Sequence, residues 1–258
     1  MKPNITITAL SLALAAVLSS PVSAAEATPA NADNILRAMS AKLAAAKQFS
    51  YHAQREIDPA LLEGRDVAEK ARVDVSVSRP NQFAARSASK ERTMRFVADG
   101  RTLTVCNETK NHYAQVPMRT SLDGLVTRLD EVYGFTPALS EFALSNPYLN
   151  FRQEARTVTY LGMEKVGAGF LGMGGVECHR LAFKGRVADA ELWVAVSDQL
   201  PRKLVATFKN QAAQVRIAFS SWNLTAPVPA AEFTFTPPAG AQKIEMWTKA
   251  RMQAASKQ

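Results

Sequence analysis

The sequence is poor in the residues that most site chemistry needs. Only two cysteines and three histidines occur among 258 residues. Two cysteines cannot build the disulfide framework of a small secreted scaffold. Cys106 and Cys178 could pair with each other or could both be small buried strand residues; bonding stays open, with free thiols the expectation. His52, His112 and His179 stand far apart in the chain. Cys178 and His179 look like a ligand pair, but neighbours on a strand point to opposite faces and cannot readily share a metal. His179 shares its face with Leu181 and Phe183, which suits a hydrogen-bonded histidine in a core or cavity. No G-x-S-x-G elbow is present, so a hydrolase of that type is unsupported. One G-x-G-x-x-G match begins at Gly167, yet Met173-Gly174-Gly175 and a strand follow where a phosphate site needs a helix. It reads as an apolar loop whose Phe170, Leu171 and Met173, if exposed, suit a membrane or ligand contact. No catalysis, no metal and no cofactor are expected.

Clustered charge is also missing. The formal net charge is +8, but Lys70, Arg72, Lys90, Arg92, Lys203 and Lys209 are scattered among acids and strand residues, as on a solvated face. Nucleic acid is therefore excluded as a partner, since it wants basic clusters with aromatic platforms. An anionic membrane surface is the better electrostatic match.

There is no long hydrophobic run either. The apolar stretch at 5–18 falls short of the ~20 residues that span a bilayer. With Lys2 before it and small residues behind it, residues 1–25 read as a secretory signal peptide cleaved near Ala24 or Ala25. No cysteine stands at that site to take a lipid anchor. Lys2 is the one charge in the leader, so 30 of the 31 basic residues remain against 23 acidic ones, a balance of +7.

What the sequence does have is strands. Asp99-Gly100 between 96–98 and 101–106 is a tight hairpin signal, because a type I′ turn needs φ > 0 at both central positions. A second turn at 107–111 and a strand at 112–116 complete a three-stranded meander. The cleanest alternation is at 70–78: Ala71, Val73, Val75 and Val77 face one way and polar residues the other, as in a sheet with one wet face. A helix is expected from Asn31 or Asp33 to about Lys47, followed by a strand at 49–54.

After the meander, Thr120 or Ser121 caps a helix with Leu122, Leu125, Val126 and Leu129 on its apolar face and Gly134 at its end. A second short helix is expected from about Pro137, ended by Asn146-Pro147. Strands follow at 157–161, 176–184, 190–196, 202–209 and 214–222, with 190–196 central and covered on both faces and Trp193 buried. A last strand is expected over Phe233-Thr234-Phe235-Thr236, stopped by Pro237-Pro238. One domain, 26–245, with a polar tail at 246–258, accounts for the whole.

Several stretches together resemble a known family. They are the Asp99-Gly100 hairpin running on to Asn107 and Tyr113, Tyr160-Leu161-Gly162, the run from Val176 to Phe183, Leu192-Trp193-Val194, the run from Leu200 to Val205, and the closing Phe233-Thr234-Phe235-Thr236-Pro237-Pro238-Ala239-Gly240. Their order and spacing are similar to a family of predicted periplasmic proteins of unknown function, grouped with the LolA/LolB-like superfamily of lipoprotein carriers. The resemblance implies an α+β fold: a half-open antiparallel β-barrel with one N-terminal helix and an inserted helical lid over an apolar cavity for acyl chains. It also implies a periplasmic, non-enzymatic binding protein whose partner is a lipid or lipidated protein. Lining residues are then expected among Val73, Val75, Val77, Leu122, Leu125, Val126, Leu129, His179, Leu181 and Phe183. The alternative is a structural or regulatory interaction domain, such as an envelope sensor, whose barrel is filled by its own side chains.

Overall fold

The first strand of the chain pairs with its last long one, and that contact joins two meanders into one sheet. The computed structural model describes residues 31–62, 66–137, 139–167 and 174–255. The leader and the Phe170, Leu171 and Met173 stretch lie outside the described residues. The first meander is β1 (Gln48–Ile57), β2 (Glu69–Ser78), β3 (Gln82–Ser89), β4 (Thr93–Asp99), β5 (Thr102–Asn107) and β6 (His112–Pro117). The second is β7 (Ala155–Val166), β8 (Val176–Gly185), β9 (Ala188–Ala195), β10 (Pro201–Phe208) and β11 (Gln214–Asn223). A two-residue β12 (Gln242–Lys243) completes a 12-stranded sheet of order β12-β6-β5-β4-β3-β2-β1-β11-β10-β9-β8-β7. Every neighbouring pair is antiparallel except β12 with β6. The sheet is open, with β12 and β7 as its edges.

A tight turn closes β4 onto β5 where the sequence places one, but it is not the type I′ turn expected of Asp99-Gly100: Asp99 still belongs to β4, only Gly100 has positive φ (+90), and the Asp99 carboxylate accepts from the amides of Arg101 and Thr102. Along β2, Ala71, Val73, Val75 and Val77 are all buried, so the alternation did set the inner face. Phe83 and Leu103 from the first meander meet Leu181 and Leu192 from the second in one core. The two meanders therefore share one buried face.

The cover comes from two places. Helix α1 (Ala32–Ala45), capped by the Asn31 side chain on the amide of Asp33, buries Leu36, Met39 and Leu43 in that core. Each such side chain contributes about 1.5–3 kcal/mol by leaving water. The insert between β6 and β7 supplies the rest. Its helix α2 (Leu122–Arg128) is capped by Ser121, widens into a π-helical turn (Leu129–Tyr133) and stops at Gly134, φ +79. A short 3₁₀ turn (Ser140–Ala143) follows, then helix α3 (Pro147–Glu154), which runs directly into β7.

Two expectations are corrected. Asn146-Pro147 begins a helix rather than ending one: the Asn146 side chain accepts from the amide of Leu149, and proline at the first helical position has no amide to leave unpaired. Phe233 to Thr236 is not a strand. It is a 3₁₀ turn (Ala230–Phe233) and an unpaired stretch strapped across the outer face, with Phe233 packed on Ala84 and Val228. The hydroxyl of Thr234 is spent on the carbonyl of Ala230, which favours the turn over a ladder. The chain then adds β12 beside β6 and ends in helix α4 (Lys249–Ala255).

Strand β9 is covered on both faces only over Leu192–Ala195; Ala188–Glu191 are half-exposed, Val196 beyond it is exposed, and the strand lies third from the β7 edge rather than at the centre. Leu192 and Val194 join the main core. Trp193, also buried, faces outward in a small cluster with Cys178 and Ala195, beneath the Arg180 guanidinium at 5.2 Å and the Lys203 ammonium at 4.2 Å.

Candidate functional site

The expected wall and the expected cover touch each other. Val73, Val75 and Val77 lie in one buried cluster with Leu122, Leu125 and Leu129, and Leu181 and Phe183 belong to it as well. His179 is half-buried, with its Nδ1 3.2 Å from the Tyr160 hydroxyl: a hydrogen-bonded histidine, as its strand face suggested. The interior directly under α2 is packed, and the free space is displaced to the two sides of the insert.

Between the insert and the second meander is a cleft of about 560 Å³, walled by Val126, Leu144, Phe151, Phe183, Leu204 and Phe208. Two of the sequence-derived lining residues, Val126 and Phe183, reach it. Between the insert and the first meander is a second cleft of about 370 Å³, with Met94, Phe96, Val105 and Phe135 as its apolar wall. Thr136 borders both. A larger depression of about 820 Å³ on the outer face differs in kind. Its charges pair with one another, Arg180 with Glu191 at 2.7 Å and Lys184 with Asp189 at 2.7 Å, which leaves a solvated surface and no apolar hollow.

Both inner clefts also carry polar side chains: Ser140, Glu141, Asn150, Glu154 and Arg186 in the larger, Arg55, Glu69, Ser87 and Arg92 in the smaller, with Thr136 in both. Glu141 lines the larger one, and among the described residues its side chain has no ion-pair partner; burial pushes its carboxyl up to about 7. Glu69 and Arg55 line the smaller one, joined at 2.9 Å, with Arg92 Nε 3.6 Å from the same carboxylate. Glu69 is buried and Arg55 nearly so; burial lowers the Arg55 pKa, and the Glu69 charge opposes that.

Arg79 holds the insert against the rest of the fold. From the β2–β3 turn it donates to the carbonyls of Ala46 (3.2 Å) and Leu43 (3.4 Å) at the end of α1, and to Ala143 (2.8 Å) and Leu144 (3.0 Å) in the insert. These carbonyls lie at the ends of two helical segments; the Leu43 carbonyl also accepts from the Ala46 amide at 3.3 Å, and one guanidinium fork reaches all four. A second tie joins α1 to α3, where the Tyr148 hydroxyl donates to Asp33 at 2.8 Å and the Tyr148 amide to Ser40 at 2.9 Å. Neither Arg79 nor Glu141 stood out in the sequence.

Cys106 and Cys178 are both buried free thiols, so the disulfide left open by the sequence is not formed. Seven strands separate β5 from β8 in the sheet order, from β4 through β9. Burial raises both thiols, Cys178 to about 11, which leaves little reactive thiolate. Among the described residues no group of three or more His, Cys, Asp or Glu is placed to hold a metal.

Residues 32–247 match the model of a family described as predicted periplasmic protein, DUF2092. The chain belongs to that family. A DUF2092 protein is periplasmic, and among the described residues no helix is long and apolar enough to cross a membrane. No curated protein matches the chain in sequence. Among solved structures it is similar to an uncharacterized conserved protein from Thermus thermophilus, at 10% identity over 83% of this chain and 99% of that one, TM-score 0.49. It is also similar to the MucA/MucB complex of Pseudomonas aeruginosa, at 15% identity over 80% of this chain, TM-score 0.45; there the match covers 62% of the other chain. A LolA superfamily protein from Nitrosomonas europaea is similar at 13% identity over 80% of this chain and 99% of that one, TM-score 0.36.

Proposed function

We propose that this DUF2092 protein is a non-enzymatic binding protein that holds an acyl chain, a lipid or a lipidated protein, its sheet acting as a half-open barrel and its insert as the lid. The observation that carries this reading is the pair of apolar clefts flanking the insert and meeting at Thr136. Apolar chain buried there would bind at about 0.8 kcal/mol per methylene with no catalytic group required. The four bonds of Arg79 support a lid held by a few replaceable polar ties. The basic surplus of the chain supports transient contact with an anionic membrane surface during loading.

A second reading is a structural or regulatory interaction domain, such as an envelope sensor, with a self-filled interior. It is favoured by the burial of Val73, Val75, Val77, Leu125 and Leu129 against one another. Native mass spectrometry of the purified mature protein, together with uptake of a fluorescent fatty-acid analogue, separates the two. Co-purifying lipid or saturable uptake is expected. If both are absent the carrier reading fails and the self-filled domain stands.

A further inference from the structure

We propose that the smaller cleft is the head-group end of the binding site. It takes the oxyanion of a single-chain acid amphiphile at Arg55 and Arg92, with the chain passing Phe135 and Thr136 into the larger cleft. This rests on the binding function proposed above and specifies what is bound and which way round.

Two guanidinium groups converge there on one carboxylate. Glu69 Oε1 accepts from Arg55 Nη2 at 2.9 Å, and Glu69 Oε2 lies 3.6 Å from Arg92 Nε. The Glu69 side chain is 1% exposed, whereas Arg92 is half-exposed and lines the cleft. The planar fork of arginine matches a carboxylate or phosphate, and Arg92 uses only one edge of its fork on Glu69. Arg55 Nε is buried and has no hydrogen-bond partner among the described residues. A buried donor left unpaired is a standing deficit that an incoming oxygen atom would remove. Beside these groups the wall turns apolar: Phe96 and Phe135 face each other with ring centroids 6.0 Å apart. Thr136 follows at the border of the larger cleft, where Leu204 and Phe208 continue the apolar surface.

The orientation follows from the opposite end. The larger cleft has the neutral Ser140 and Asn150, the Glu141 carboxyl and the exposed Glu154 and Arg186 on its lining. An acid head placed there would meet two carboxyls against one arginine, whereas in the smaller cleft the one carboxylate, Glu69, faces two arginines. Carboxylate and phosphate monoester heads share the chemistry that the two arginines recognise.

Isothermal titration calorimetry of the mature protein with dodecanoate, dodecyl phosphate, dodecanol and dodecylamine, each below its micelle concentration, tests this. At least one of the two acids should bind tenfold or more tighter than dodecanol, and the tighter one names the head group. Arg92→Gln, measured well below its melting temperature, should bring the acids to within about twofold of the alcohol, and Arg92→Lys should keep part of the preference. The head-group assignment is overturned if acids and alcohol bind alike, if Arg92→Gln leaves the preference in place, or if dodecylamine binds tightest, which would put the head at Glu141. If none of the four binds, the proposed binding function falls with it. If all bind equally, the binding function stands and the head-group site alone is lost.

Discussion

The Tyr51 hydroxyl, at the centre of β1, donates to the carbonyl of Leu139 in the insert across 2.8 Å of buried space. Leu139 sits at φ +65, a left-handed conformation that a leucine adopts only when its surroundings compel it. The hydroxyl and the burial of the Leu139 side chain together hold that strained corner. Tyr51→Phe keeps the ring stacked on Trp222 at 4.2 Å and removes only this bond. It should cost about 1–3 kcal/mol and speed amide exchange across the 3₁₀ turn while the sheet stays protected. Unchanged exchange at 139–144 would mean the bond does not hold the insert.

Arg79 should matter more. Arg79→Ala takes a donor from four carbonyls, of which that of Leu43 keeps a backbone partner, the Ala46 amide, and it also removes a cation 5.7 Å from the Phe49 ring. The expected loss in urea denaturation is about 2–4 kcal/mol. Arg79→Lys should recover only a fraction, because an ammonium cannot span carbonyls on two separate elements. A loss under about 0.5 kcal/mol for the alanine variant would place Arg79 among ordinary surface residues.

These two ties also mark the limit of what the sequence discloses. Strand alternation at Val73, Val75 and Val77, the Asp99-Gly100 turn and the Ser121 and Gly134 caps are local signals, and each forms in the structure where the sequence places it. The role of Arg79 depends on carbonyls 33 and more residues away, so no window on the sequence contains it. Glu69 is a partial exception. It falls in step with Ala71 and Val73, on the buried phase of β2, and that parity alone flags a buried carboxylate in need of a cation. The closing Phe233 run misleads because alternation cannot distinguish a paired strand from an extended strap lying on a sheet.

The Glu141 carboxyl gives the protein a pH dependence of definite sign. Its pKa in the fold is raised to about 7 by burial, against about 4.5 for an ordinary glutamate. Between those values the folded chain keeps a proton that the unfolded chain has released, so this group lowers stability as pH rises from about 4.5 to 7. Glu141→Gln does not titrate. It should be more stable than the wild type above pH 7, by ~1–3 kcal/mol, with the difference vanishing near pH 4.5. Chemical denaturation of both proteins across that range measures it. Parallel stability curves would show that the carboxyl is hydrated and titrates normally.

Leu125 and Val126 are neighbours in α2 with opposite prospects. Leu125 is 3% exposed and packed in the main core, so Leu125→Glu buries a carboxylate among aliphatic side chains in any state where α2 stays docked. Val126 is only half-buried and faces the larger cleft, so Val126→Trp adds a ring to empty space and leaves the core alone. If cargo enters the cleft beside a docked helix, Leu125→Glu should destabilise by about 3 kcal/mol or more, and Val126→Trp should abolish uptake of a fluorescent fatty-acid analogue at unchanged stability. If α2 instead swings away as a lid, its inner face is wet whenever cargo is loaded. Leu125→Glu would then favour the open form, and loaded protein would lose little stability, while Val126→Trp would have a small effect on uptake. Melting curves with and without the analogue, set beside its binding isotherms, decide between a docked and a swinging helix. The burial of Leu122, Leu125 and Leu129 in the same core as Val73, Val75 and Val77 makes the docked helix the expected result, the insert then serving as a fixed lid with cargo in the two clefts at its sides.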